Sequence, residues 1–307
     1  MRRLFLVLLL LALPLKAVAP PKLVVLGPPS LDRVAARVRS IDPERFLDAM
    51  RLVGLDDPGP PIQVFLGPEG SDLAAGVPPW VSGYAYGAEG VIVLLPARTP
   101  SYPDSSLEEL LRHEVSHVLV ARASRGRPLP RWFHEGVAMI AGTSWGLDDR
   151  SRLTVTMIGG GHASLADVER QFTGGRGSAV EAYAIAGAFV NELLSREGDD
   201  AVARILAGVG RGLSFEEAFR EATGSTLVQA ETSFWRRQSF WYRWVPILTS
   251  TVTLYMLITL LAIWAMGKRR ARDAALRRIW EEEELRRQLA GTGSPSPPGS
   301  GPDELVN

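Results

Sequence analysis

The chain contains no cysteine and only four histidines among 307 residues. Without cysteine there are no disulfides, no thiolate-ligated metal and no thiol nucleophile. Scarcity makes the placing of the histidines informative: His113, His117 and His134 fall within 22 consecutive positions. There is no overall charge excess either, since 34 Lys and Arg balance 34 Asp and Glu. The balance is made of unequal parts, because residues 20–243 hold 23 bases and 27 acids, a net charge of −4. A mildly acidic body lacks the basic footprint that phosphate binding needs, so nucleic acid is excluded as the main partner.

Two apolar stretches bracket this body. The first, MRRLFLVLLLLALPLKAVAP, has a basic start at Arg2 and Arg3, an apolar core Leu4–Leu15 and small residues Ala17 and Ala19. That is the pattern of a secretory signal over residues 1–19. The alternative is an uncleaved anchor, because Pro20 directly after Ala19 disfavours cleavage. The second stretch, Trp244–Met266, is 23 residues without a charge, long enough to span a bilayer with some tilt. Trp235, Trp241, Tyr242 and Trp244 gather at its near end and Trp264 at its far end, as interfacial aromatics do. Lys268, Arg269, Arg270 and Arg272 follow directly and point to a cytoplasmic flank. The signal sends residue 20 onward across the membrane, so both cues predict an extracytoplasmic body, periplasmic or at the cell surface, and a cytoplasmic tail. In the tail, i,i+4 charge pairs such as Arg277 with Glu281 and Glu283 with Arg287 predict a solvated helix. The Ser/Pro/Gly-rich end after Ala290 has nothing to bury and is expected to be disordered.

Residues 20–243 are enough for one domain with a real core. Lys22–Leu26, Ile62–Leu66 and Val91–Leu95 are short aliphatic runs bounded by Gly and Pro, which predicts strands. Ser30–Leu55 carries helical spacing, with Asp42-Pro43 opening a second helix. Ser105 with Glu108, Ser178 with Glu181 and Ser214 with Glu217 fit capping boxes for helices at about 106–122, 179–196 and 215–223. The order is an α+β fold: a small sheet in front, helices behind.

Inside the first of those helices stands His113-Glu114-x-x-His117. At about 100° per residue the two imidazoles lie about 40° apart around the axis and roughly 6 Å apart along it, so both can reach one metal ion. Glu114 lies on the adjoining side, where its carboxylate can take a proton from a water instead of acting as a ligand. A zinc hydrolase needs a third protein ligand, and LPRWFHEGVAMIAG offers one on a helix that Pro130 can start and Gly142 stop. Spacing alone leaves both Glu135 and His134 open.

HEVSHVLVAR followed by LPRWFHEGVAMIAG resembles the gluzincin zinc metallopeptidases, in particular the bacterial peptidase MA-like domains. The resemblance extends loosely over about residues 60–235, through PPWVSGYAYGAEGVIVLL and EAYAIAGAFVNELL. It implies a zincin-like active-site region with Zn2+ held by His113, His117 and Glu135, and with Glu114 as catalytic general base; Trp132, Gly136 and Ala138 match the family's supporting pattern. It also implies that Val91–Leu95 is the sheet-edge strand beside which an extended substrate binds. Tyr183 is similar to a tyrosine that related gluzincins place on a later helix, a catalytic donor to the developing oxyanion; His162, in IGGGHAS, is the rival donor. Four positions after Glu135, where some gluzincins carry an aspartate behind the ligands, this chain has Met139, so the groups that orient the histidines are unassigned. The expectation is a membrane-anchored zinc peptidase acting on peptide or protein, with the bilayer as its other partner. The alternative is a tethered binding or scaffold module of the same fold without turnover.

Overall fold

The computed structural model describes residues 18–100, 103–142, 164–248 and 250–291. The expected signal segment before residue 18, His162 and the residues after Gly291 lie outside the described residues. Strands β1 (Leu23–Leu26), β2 (Ile62–Leu66), β3 (Gly83–Tyr86) and β4 (Val91–Leu94) form one sheet in the order β1-β2-β4-β3. The first three neighbours run parallel, and β3 runs antiparallel to β4. Their register places Val25, Val64, Ile92 and Ala85 in one row facing the helices.

The strand 91–94 is therefore interior, and the expected edge strand is instead β3, eight residues upstream. The physical reason lies in the run itself. Ile92, Val93, Leu94 and Leu95 are all buried, and an unbroken apolar run suits a strand covered on both faces. Gly83-Tyr84-Ala85-Tyr86 alternates only weakly in polarity, which hid it among turn residues, yet it suits an edge covered on one face.

Helices α1 (Asp32–Arg39) and α2 (Leu47–Val53) lie between β1 and β2, with Asp42 Oδ1 accepting from Glu44 N at 3.0 Å ahead of the second. The long α3 (Leu107–Ala123) starts one residue later than expected. Ser105/Glu108 and Ser106/Glu109 are overlapping pairs of identical pattern, and the cap falls on the second serine: Ser106 Oγ accepts from Glu109 N, while the Glu109 carboxylate accepts from Ser105 N and not from the capping residue. α4 (Arg131–Gly142) and α5 (Leu165–Gln171) follow. α5 carries a capping box between Ser164 and Asp167 that a search for Glu or Gln passes over. The next helix, α6 (Arg176–Glu197), begins after Gly175, and Ser178 Oγ donates to Gln171 O instead of capping. α7 (Ala201–Arg211) leads to α8 (Phe215–Thr223), which has the expected Ser214/Glu217 box. α9 (Leu227–Leu248) completes the body, burying Phe234 against Phe189.

The chain divides into two units after Tyr242. The second contains all of α10 (Thr251–Gly291), the one described helix long and apolar enough to cross a membrane. The uncharged run 244–266 is thus shared: its first residues end α9, and α10 opens where Ser250 Oγ accepts from Thr253 N. From Leu254 to Met266 its large apolar side chains are uncovered by protein, and the same helix continues through the basic cluster to a Glu283–Arg287 pair at 3.6 Å.

α4 is wedged between α3 and α6, and two glycines permit the approach. A Cβ on Gly136 would stand 2.5 Å from Ala186 O and 2.6 Å from Val190 Cγ2, and one on Gly142 would stand 3.2 Å from His113 Cβ. Alanine at 136 gains about 1 kcal/mol of helix propensity, but overpacking against a backbone carbonyl costs about 1–3 kcal/mol. We expect Gly136→Ala to lower the thermal midpoint of the detergent-solubilised chain. Gly177→Ala, with nothing within 4 Å, should leave the midpoint unchanged or raise it.

Candidate metal centre

α3 presents the site because nearly every face of it is buried. Leu110, Leu111, Val115, Val118 and Leu119 fill the core around it, and His113 and Glu114 are taken inside on the same turns. α4 runs back along α3, with Arg112 Nη2 donating to Ala141 O at 2.9 Å near His113. Its start is tied down from α5, where the Glu169 carboxylate accepts from Arg131 N at 2.9 Å and Trp132 N at 3.1 Å. Trp132 itself sits edge-on against Phe133, Phe189 and Phe215, which holds that end of α4 in an aromatic cluster.

This packing brings Glu135 between the two imidazoles. Its Oε2 lies 3.5 Å from His113 Nε2 and 3.4 Å from His117 Nε2, and it has no hydrogen-bond partner. One donor atom from each of the three residues lies within 4.8 Å of the others. For a tetrahedral ion with bonds of about 2.0–2.1 Å, neighbouring donors stand roughly 3.3–3.4 Å apart. The two imidazole-to-carboxylate distances match that spacing, and the donor set is one that divalent zinc accepts. Among the described residues this is the group able to hold a metal.

His134 faces elsewhere. Its Nδ1 lies 2.6 Å from His117 Nδ1, and the two rings stack at 4.6 Å between centroids, only 19° from parallel. His134 thus sits behind His117, while Glu135 occupies the convergence point. Asp104 approaches from the side of His113: it is buried, with Oδ1 3.7 Å from His113 Nδ1. The sequence reading missed Asp104, which stands in irregular chain ahead of α3 where no periodicity or motif marks it.

Burial and mutual charge set the ionisation of this cluster. Burial pushes His117 down, and burial with His117 alongside takes His134 down to about 3, so both are neutral near pH 7. Burial works against charge on Glu135, but His117 and His113 outweigh it and hold its carboxyl well below the usual range. Burial also lowers His113, and there Asp104, Glu135 and Glu114 win, raising it to about 9. A proton on His113 and a dication are alternative ways to balance these carboxylates.

Glu114 lies buried beside these three residues. Burial raises its carboxyl to about 8, and Oε2 has no partner. Against its other oxygen stands edge strand β3: a Cβ on Gly83 would come 2.9 Å from Oε1, and one on Gly87 would come 3.0 Å from His117 O. Tyr183, on α6, lies with its ring centre 6.3 Å from that of His113 and packs against Phe172. Burial and the Glu135 charge raise its hydroxyl well above the usual value, so it keeps its proton. His162, the other proposed donor, falls in the stretch outside the described residues. Arg131 lies at the rim, its Nε 3.4 Å from Glu135 Oε1 and its guanidinium over the Phe172 ring.

No protein-family model matches the chain, and no curated protein matches it.

The geometry separates ligands from neighbours in a measurable way. Purified full-length chain should retain about one divalent metal ion, as a three-ligand site does. His113→Asn, His117→Asn and Glu135→Ala should each abolish retention, and Tyr183→Phe should leave it intact. Elemental analysis after dialysis reads all four.

Proposed function

We propose that the protein is a membrane-anchored zinc metallopeptidase of the gluzincin type. The observation that carries this reading is the convergence of His113, His117 and Glu135 on one buried point with Glu114 beside it, its Oε2 uncommitted. The resemblance of the two motifs to peptidase MA-like domains gives the reaction class, amide hydrolysis.

A divalent metal in this pocket supplies Lewis-acid polarisation of a water and of a substrate carbonyl, and its charge favours the ionised form of Glu114. Glu114 is then the group that takes a proton from the attacking water and passes it to the leaving amine. Its burial suits the role, because a carboxyl with a raised pKa binds that proton firmly enough to deliver it near neutral pH. Tyr183, protonated and next to His113, is the donor to the charge that develops on the carbonyl oxygen. Substrate is positioned by β3, which among the described residues pairs on one side only and adjoins Glu114 through Gly83. A peptide in extended form can add to such an edge by main-chain hydrogen bonds. Anchoring is supported by the uncovered apolar side chains of α10, which lipid would cover, and orientation by the basic residues from Lys268 to Arg272. The body then lies outside the cytoplasm and the end of α10 within it.

Glu114→Gln is the direct test. It should keep its zinc while cleavage of an unstructured protein falls by about 100- to 10,000-fold relative to wild type. Equal and negligible cleavage by both, with zinc present, would instead mark a tethered binding module. Protease added to intact cells opened only at their outer surface should remove the body and spare an epitope at the C-terminus. Loss of that epitope with the body preserved would reverse the orientation.

A further inference from the structure

The two imidazoles of the centre differ in what stands behind them. His117 meets a second imidazole at hydrogen-bond distance, whereas His113 faces a carboxylate. Three observations single out that carboxylate. Asp104 is only 4% exposed, so its charge is isolated from water. Its Oδ1 and the Nδ1 of His113 are each buried without a hydrogen-bond partner. These two orphaned atoms face one another at 3.7 Å, somewhat beyond hydrogen-bond length. A buried carboxylate oxygen and a buried ring nitrogen left unmatched are both costly, and each is the missing partner of the other.

We propose, building on the metal-site reading above, that Asp104 is a positioning residue: it accepts a hydrogen bond from Nδ1–H of His113 and thereby fixes that ring with Nε2 turned towards Glu135. The proton on Nδ1 leaves the Nε2 lone pair free for the metal, and the carboxylate behind it strengthens that lone pair as a donor. Closing 3.7 Å to a charge-assisted bond takes a movement of under about 1 Å. The arrangement also answers the apolar Met139. α4 has no carboxylate one turn after Glu135, and the chain reaches the outer face of His113 from the segment ahead of α3 instead. Gly142 lies close against the Cβ and backbone of His113, which fixes the base of that side chain against the end of α4.

The test uses the full chain in detergent, with zinc affinity measured by competition against a chromophoric chelator for wild type, Asp104→Asn and His113→Asn. Asp104→Asn keeps the side-chain volume and removes the charge. Its Kd for zinc should rise about 10- to 100-fold, with changed visible bands in the Co2+-loaded form and an unchanged circular dichroism spectrum. Affinity equal to wild type with an identical Co2+ spectrum would overturn the positioning role. A measurement on wild type covers the case in which the variant does not fold. With 15N-labelled histidine and zinc bound, the His113 ring should carry a hydrogen-bonded, exchange-protected Nδ1 proton. A bare or freely exchanging Nδ1 would equally overturn the proposal. The outcomes separate the two levels of argument: wild-type zinc lost in His113→Asn but unaffected by Asp104→Asn leaves the metal centre standing and removes only Asp104. A wild type without zinc removes both.

Discussion

The antiparallel contact between α3 and α4 is what the site depends on. It places one carboxylate oxygen of Glu135 against two imidazole nitrogens in a largely buried space. Charged groups are driven into the core only because opposite partners meet them there, and each member of the cluster would be unfavourable alone. The glycines at 136 and 142 are part of the same constraint. Without Cβ atoms there, α4 can lie close enough to α6 on one side and to His113 on the other. The match of Trp132, Gly136 and Ala138 to a sequence pattern thus has a physical basis in packing, separate from any chemistry.

The sheet contributes position more than chemistry. Of its interior strands β4 is covered on both faces while β2 leaves Gln63 exposed, and β3, a short edge strand, packs against α3 next to Glu114. An edge strand is ordinarily a hazard, because its unpaired backbone groups can pair with another chain. Here it is short and lies against the helix that carries the candidate site. The apolar face of α10 is a constraint of a different kind. No protein covers it, and its continuation into a basic and then acidic helix places charge directly beside hydrocarbon-length apolar surface.

Much of the local structure was legible in the residues, for stated reasons. The β-branched runs at 23–26, 62–66 and 91–94 pair as strands, and Ser214 with Glu217 caps a helix as its pattern indicates. Where the reading slipped, the pattern was degenerate. Adjacent serines at 105 and 106 each have a glutamate three residues later, and Ser178 satisfies the capping pattern while bonding to Gln171. The edge assignment slipped for a related reason, since polarity along one strand shows how it is covered but not which neighbour it pairs with.

The sequence by itself determined that two histidines share one helix face with a glutamate on the adjoining side, because a helical repeat fixes the angle between positions one and four apart. It likewise determined that chemistry had to proceed without thiols, and that one segment is apolar over a bilayer's length. The tertiary structure placed Glu135, which the motif resemblance had already favoured over His134, between the imidazoles, and it alone decided that His134 backs His117, that Asp104 reaches His113 and that β3, not the 91–94 strand, is an edge of the described sheet. These are relations between segments far apart in the chain, and they follow from how the helices are rotated and packed, which no local spacing encodes.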